Sequence, residues 1–369
     1  MLLPLAGLVA LAVCGLVLLA LSTARFGIVA ELVGIVAALL PVGPVIAAFL
    51  WMDRWEPEPA RLLWLAFGWG ACVATVAALL INNTAEVVGD LLLGKGNGDK
   101  VSAVVSAPLF EEALKGAFVL GIFLFLRSEF DGVVDGIVYS GFVAAGFAFT
   151  ENIYYFGRAF AEHGLGDSTS PGVVAAFILR GVLSPFTHPL FTAMIGIGIG
   201  IAAQSTKRRT WFLAPIAGYL GAVVLHALWN GAATLGTATT FLTVYFLVMV
   251  PLFGAVLVFI HWHRKREQRI VAAALPAMVR INCVVASEVD LLASLPGRRK
   301  WRKQVRANSG KVAARLVGEY HSAVTELAFL RHAMDRGTSE PGADRRENEL
   351  IDAVRQRRAA AVEAASAGR

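Results

Sequence analysis

"PLFEEALKGAFVL" (residues 108–120) sets two carboxylates and an ammonium group into a run that otherwise reads as membrane-spanning helix. Near a helix centre each such group costs about 2.5–3.5 kcal/mol on insertion scales, so Glu111, Glu112 and Lys115 are expected to have a role. The surrounding chain supports the membrane reading. Of its 369 residues, 57% are hydrophobic and 16% are charged, with a mean hydropathy of +0.64. Soluble domains carry about a quarter charged residues, so the composition predicts an integral membrane protein. Cys14, Cys72 and Cys283 stand far apart, which argues against a disulfide framework or a cysteine-rich metal site.

Apolar stretches of bilayer length fall at 3–24, 27–51, 61–82, 103–126, 133–156, 172–203, 211–236 and 239–262. The expected fold is all-α: a polytopic membrane helix bundle of about eight transmembrane helices (1–262), followed by an amphipathic helical cytoplasmic tail (263–369). The first run lacks a basic n-region and reads as a helix, not a cleaved signal peptide. The sixth stretch is broken by "RGVLSPFTHPL" (180–190), where Pro185 and Pro189 disfavour regular helix, so its crossing is expected to start near Ser184. Arg54, Arg61, Arg127, "KRR" (207–209) and "HRKRE" (263–267) all fall on one side if both termini are cytoplasmic, as the positive-inside rule requires.

Beyond 263 apolar residues recur at three- and four-residue spacing, predicting one long amphipathic helix, a break at "GTSEPGAD" (337–344) and a second helix. The basic cluster Arg298–Arg306, with Trp301 inside it, fits either anionic lipid of the inner leaflet or a solvated helical face. No nucleic-acid-binding motif accompanies the charge, so nucleic acid is not an expected partner.

Polar groups mark four of the apolar helices: Glu111, Glu112 and Lys115 in the fourth; Glu151 and Asn152 in the fifth; His188 at the head of the sixth; and His226 with Asn230 in the seventh. Each has a structural reading as well, because Lys115 can pair with either glutamate on its own helix and Asn152, Asn230 or a histidine can join helices. Depth argues that they act together. At about 1.5 Å per residue, all lie in the outer half of the bilayer, Glu111 and Glu112 roughly 12–14 Å and His226 roughly 15 Å below the surface. A hydrated cavity opening outward accounts for that shared depth. Carboxylates and imidazoles can take protons from water or hold water on a zinc ion, and His226 with Asn230, four apart, can face a developing oxyanion. The competing class is a proton- or ion-coupled transporter, since buried Glu and His also form relays. Against it, the halves carry no inverted repeat and the cytoplasmic halves of the helices are apolar. A non-catalytic membrane scaffold is the third reading.

"EEALK" (111–115), "GFAFTEN" (146–152), His188 and "HALWN" (226–230), supported by "DRWEPEP" (53–59), "AFGWG" (66–70) and "DGVVDGIVYSG" (131–141), together resemble the PrsW-type membrane proteases, relatives of the CAAX prenyl endopeptidase and Abi group. The similarity runs from about 35 to 260. The resemblance implies an intramembrane or membrane-proximal endopeptidase in a bacterial plasma membrane, acting on membrane-anchored proteins such as anti-sigma factors. It implies Glu111 or Glu112 and Glu151 as activators of water, with His188 and His226 as ligands or partners. Glu151, His188 and His226 are then the candidate metal ligands and zinc the candidate ion. The prenyl-endopeptidase relatives carry histidine where this chain has Glu151, and arginine one position beyond Lys115, so metal-dependent and metal-free mechanisms both stay open. No His-Glu-x-x-His, Gly-x-Ser-Gly or Gly-x-Gly-Asp motif supports another intramembrane protease chemistry.

Overall fold

Hydrophobic runs punctuated by glycine and proline become helices that stop where those residues stand. The computed structural model describes residues 2–55, 57–130, 132–166, 172–339 and 342–366, and among these no strand occurs. Helix α1 (Leu2–Phe26) ends at Gly27, whose φ of 86° few other residues adopt, and α2 (Ile28–Met52) follows at once. Helix α3 (Ala60–Leu93) starts after Pro59 and ends at Gly94. Then come α4 (Ala107–Phe125), α5 (Val133–His163), α6 (Thr187–Ala203), α7 (Arg208–Thr234) and α8 (Ala238–Arg280).

Seven helices among the described residues are long and apolar enough to cross a membrane. The remaining expected stretch, the fourth at 103–126, is also helical, continuous from 98 to 125. It is set apart only by charge: any 18-residue part of it includes Glu111, Glu112 and Lys115. The chain is thus a polytopic helical membrane protein.

It divides into two compact units, the first comprising Met1–Asp53 and Glu58–Val256, the second Arg54–Pro57 and Leu257–Arg369. In the first, α5 is the central helix, buried along most of its length, whereas α1, α7 and α8 expose most of their surface. Close backbone approach makes that burial feasible. A Cβ on Gly136 of α5 would lie 2.1 Å from the Gly196 carbonyl oxygen of α6, and one on Gly196 would meet Gly136 equally closely. Only glycine fits at this crossing, which holds the helix carrying Glu151 against the helix carrying His188. Asp135 accepts a hydrogen bond from the Gly132 N–H at 2.8 Å, capping the start of α5, and Asp131 lies outside the described residues. The sixth apolar stretch is interrupted where the prolines predict: a helix that starts at Val173 ends in a π-helical segment, Ile178–Leu183, and α6 begins at Thr187.

The second unit is built on α9 (Leu295–Asp335), kinked at Gly310 with φ 85°, and α10 (Ala343–Ser366). Its core joins Leu275, Leu292, Tyr320, Leu327 and Val354. The basic cluster is not uniformly a surface. Arg298 is buried, donating to the Leu292 carbonyl at 2.9 Å and to Thr325 Oγ1 at 2.7 Å, and burial lowers its pKa to about 10. Trp301 packs its ring 5.1 Å from that of His321, so the exposed basic face is Arg299, Lys300, Arg302, Lys303 and Arg306.

His321 is held neutral by burial and by the nearby Arg298 and Arg302, its pKa lowered from 6.5 to about 3. A folded pKa below the unfolded one means that unfolding takes up a proton between those values. The second unit is therefore expected to keep full stability above about pH 6.5 and to lose up to about 1.4 kcal/mol per pH unit below it. Hydrogen–deuterium exchange of α9 in the full-length protein, corrected for intrinsic rates, measures this. A His321→Gln variant should show a flatter profile between pH 7 and 5, and an unchanged slope would contradict the assignment.

Candidate active site

Four helices of the first unit bring six of the eight singled-out polar residues into one cluster. Glu111, Glu112 and Lys115 occupy one face of α4, spaced so that the ammonium group reaches both carboxylates. Lys115 Nζ donates to Glu112 Oε1 at 2.9 Å and to Glu111 Oε2 at 3.4 Å, with no solvent exposure. Beneath it, 3.9 Å from the nitrogen, lies the ring of Phe147, four residues before Glu151 on the same face of α5. That cation–π contact gives the phenylalanine of "FAFTE" a physical role.

The two glutamates have different surroundings. Glu112 is fully buried and fully engaged: Oε1 accepts from Lys115 and from His226 Nδ1 at 3.0 Å, and Oε2 accepts from Thr192 Oγ1 at 2.9 Å. Glu111 Oε1 accepts from Asn82 Nδ2 at 3.1 Å, whereas Oε2 has only the long bond to Lys115 and stands 3.9 Å from His226 Nε2. One adjacent carboxylate is locked in a network, and the other keeps an oxygen toward the histidines.

The histidine tautomers follow from their partners. A carboxylate only accepts, so His226 carries its proton on Nδ1, toward Glu112, and His188 carries its proton on Nε2, 2.8 Å from Glu151 Oε2. The lone pairs left are on His226 Nε2 and His188 Nδ1, the latter 3.3 Å from Lys115 Nζ. The two rings stand 5.3 Å apart and nearly perpendicular, and Phe191 stacks on His226 at 5.1 Å.

Glu111, His188 and His226 offer one ligand atom each within 4.8 Å of one another. Two imidazole nitrogens and one carboxylate oxygen form a donor set that zinc accepts, leaving one position open. Each imidazole gives its other nitrogen to a carboxylate, Glu112 or Glu151, the outer-shell arrangement that orients metal-binding histidines. The residues therefore fit a metal, and Glu111 joins His188 and His226, two of the three ligands expected from the sequence, in that grouping. Glu151 Oε2 accepts from His188 at 2.8 Å and from Arg180 Nη2 at 2.6 Å.

The other two residues lie to the side. Asn152 accepts from Arg180 Nε at 2.8 Å, next to the cluster. Asn230 Nδ2 donates to the Ala103 carbonyl at 2.9 Å, tying α7 to the segment before α4. The structure adds Arg180, Asn82 and Thr192, which the sequence reading did not single out. An arginine inside an apolar stretch and "NN" (82–83) inside an apolar helix were the available signals; Thr192 carried none.

A family model described as PrsW family intramembrane metalloprotease matches residues 58–256. Similar curated proteins include three named Protease PrsW. That of Geobacillus kaustophilus is 30% identical over 194 residues, covering 53% of this chain and 76% of the relative. That of Bacillus subtilis is 28% identical over 172 residues, 47% of this chain and 70% of the relative. That of Clostridioides difficile is 30% identical over 203 residues, 52% and 76% of the two chains. No solved structure matches the chain significantly. The match ends at Val256, where the first compact unit also ends.

Proposed function

Because the chain belongs to the PrsW family of intramembrane metalloproteases and is a membrane-embedded protease, we propose that it hydrolyses a peptide bond of a membrane-anchored protein at the Glu111–Glu151–His188–His226 cluster. The reading places the site near the extracytoplasmic face of a bacterial plasma membrane, with both termini cytoplasmic. Anti-sigma factors are the substrate class it favours, and anionic lipid is the proposed partner of the exposed basic face of α9. The observation that carries the proposal is the pairing of each histidine with its own carboxylate, with Glu111, His188 and His226 each offering a ligand atom within 4.8 Å of the others.

Glu111, His188 and His226 would hold the metal. When bound, zinc supplies polarisation of the scissile carbonyl and a lowered pKa for water. The residues of the chain do the rest. Glu112 keeps His226 in the tautomer that frees Nε2, and Thr192 and Lys115 keep Glu112 from rotating. Glu151 keeps His188 oriented through Oε2, and its side chain, 23% exposed, would take a proton from water and return it to the leaving amine. Lys115 balances the two α4 carboxylates in a setting that excludes water.

The test is cleavage of a single-pass membrane substrate by the purified full-length protein, with and without chelator, beside His226→Ala. Cleavage is expected to stop with chelator, to return with added zinc, and to be lost in a well-folded His226→Ala. Undiminished cleavage in that variant would rule out this centre.

A further inference from the structure

We propose that Arg180 is a positioning residue of the site: it fixes Glu151, and through it His188, and the proline break in the sixth apolar stretch exists to bring it there. Arg180 lies in "AAFILRGVLSPF" (175–186), where an unpaired cation would be costly. Its planar fork is fully directed at one face of α5. Nη2 donates to Glu151 Oε2 at 2.6 Å, Nε donates to Asn152 Oδ1 at 2.8 Å, and the guanidinium carbon stands 4.0 Å from the Tyr155 ring centroid.

The second nitrogen on Glu151 Oε2 belongs to His188, at 2.8 Å. In an uninterrupted helix, residues eight positions apart are separated by about 12 Å along the axis. Here residues 180 and 188 meet on a single oxygen atom. The break makes that convergence feasible, and it is itself pinned: Ser184 Oγ donates to the Leu179 carbonyl at 2.7 Å, Thr187 Oγ1 to the Ser184 carbonyl at 2.8 Å, and Tyr245 Oη to the Leu183 carbonyl at 2.8 Å. Both arms of the break thus close on one carboxylate. The charge-assisted bond to Glu151 is held in direction because the same planar guanidinium is anchored on Asn152, a two-partner geometry that a lysine does not reproduce. Without Arg180, Glu151 is free to change rotamer and His188 loses the partner that aims its Nδ1.

The inference rests on the metalloprotease reading, and its test separates the two. Zinc affinity of the full-length protein in nanodiscs, by competition with a chromogenic chelator, is compared for wild type, Arg180→Ala and Arg180→Lys, beside substrate cleavage and thermal unfolding. Both variants are expected to unfold close to the wild-type temperature, since Arg180 is a quarter exposed. Zinc affinity should fall about 10–100-fold, as for other outer-shell partners, with kcat reduced more than KM. Added guanidinium ion should restore part of the loss in Arg180→Ala and none in wild type or in His188→Ala. A wild type that cleaves nothing but shows this affinity pattern would overturn the proposed substrate class and leave the role of Arg180 standing. Wild-type zinc affinity in Arg180→Ala, rescue by lysine, a loss that follows thermal stability without guanidinium rescue, or no zinc binding by wild type would each overturn it.

Discussion

Glu111→Gln and Glu112→Gln, one residue apart, are expected to fail in different ways. In Glu111→Gln the fold should survive. The amide oxygen still accepts from Asn82, and Lys115 keeps its 2.9 Å bond to Glu112. What disappears is the anionic oxygen 3.9 Å from His226 Nε2, one of the three ligand atoms that could hold an ion. Zinc affinity should drop by more than the roughly 10–100-fold that an outer-shell partner is worth, and cleavage should fall by about 10²–10⁴-fold, the scale of losing a group that acts on the reacting atoms. Glu112→Gln breaks a fully buried ion pair instead. Its cost should lie near about 3 kcal/mol, at the low end for such a pair, because Glu111 still stands 3.4 Å from the ammonium. Protein yield and unfolding in detergent should report that loss before any kinetic assay does. Equal stabilities for the two variants, with equal zinc affinities, would refute the division between a facing and a locked carboxylate.

That division shows how far the sequence could be read. Hydropathy located the helices, although α3 (Ala60–Leu93) and α8 (Ala238–Arg280) run well beyond the apolar stretches at 61–82 and 239–262. The costly groups of four helices also converge, as a shared depth implied. Spacing along one helix cannot say which of two adjacent glutamates turns toward the next helix. That choice depends on how α4 rotates against α6 and α7, where Thr192 and His226 both reach Glu112. Nor can spacing foresee that residues 180 and 188 share a carboxylate oxygen, because prolines announce a break but not the direction the chain takes after it. Asn230 illustrates the converse. Its i, i+4 relation to His226 is legible along the helix, whereas its bond to the Ala103 carbonyl, which joins α7 to the neighbouring segment, is not. In the tail, the amphipathic period was legible, whereas the inward turn of Arg298 was not, because a kink at Gly310 lets the two arms of α9 enclose it.

Lys115→Met should have the largest effect on stability of any single change in the cluster, and its outcome separates the folding role of the motif from its chemistry. The substitution keeps most of the side chain's volume and removes only the charge. Glu111 and Glu112 are then left as adjacent buried carboxylates, and Phe147 loses the cation over its ring. Removing one partner of a buried pair costs about 3–5 kcal/mol, and here one cation serves two anions, so the upper end is expected. Protein yield and the midpoint of unfolding in mixed detergent give the measurement. The double variant Glu112→Gln, Lys115→Met then decides the interpretation. With no buried charge left unpaired between these two positions, it should recover at least about 2 kcal/mol relative to the sum of the singles, within the range seen for directly coupled residues. It should still cleave poorly, because His226 has lost the carboxylate that fixes its tautomer. Strict additivity would mean that Lys115 does not stabilise the bundle through its pair with Glu112. Recovery of stability without recovery of cleavage would show that the lysine serves the fold and Glu112 the orientation of the histidine.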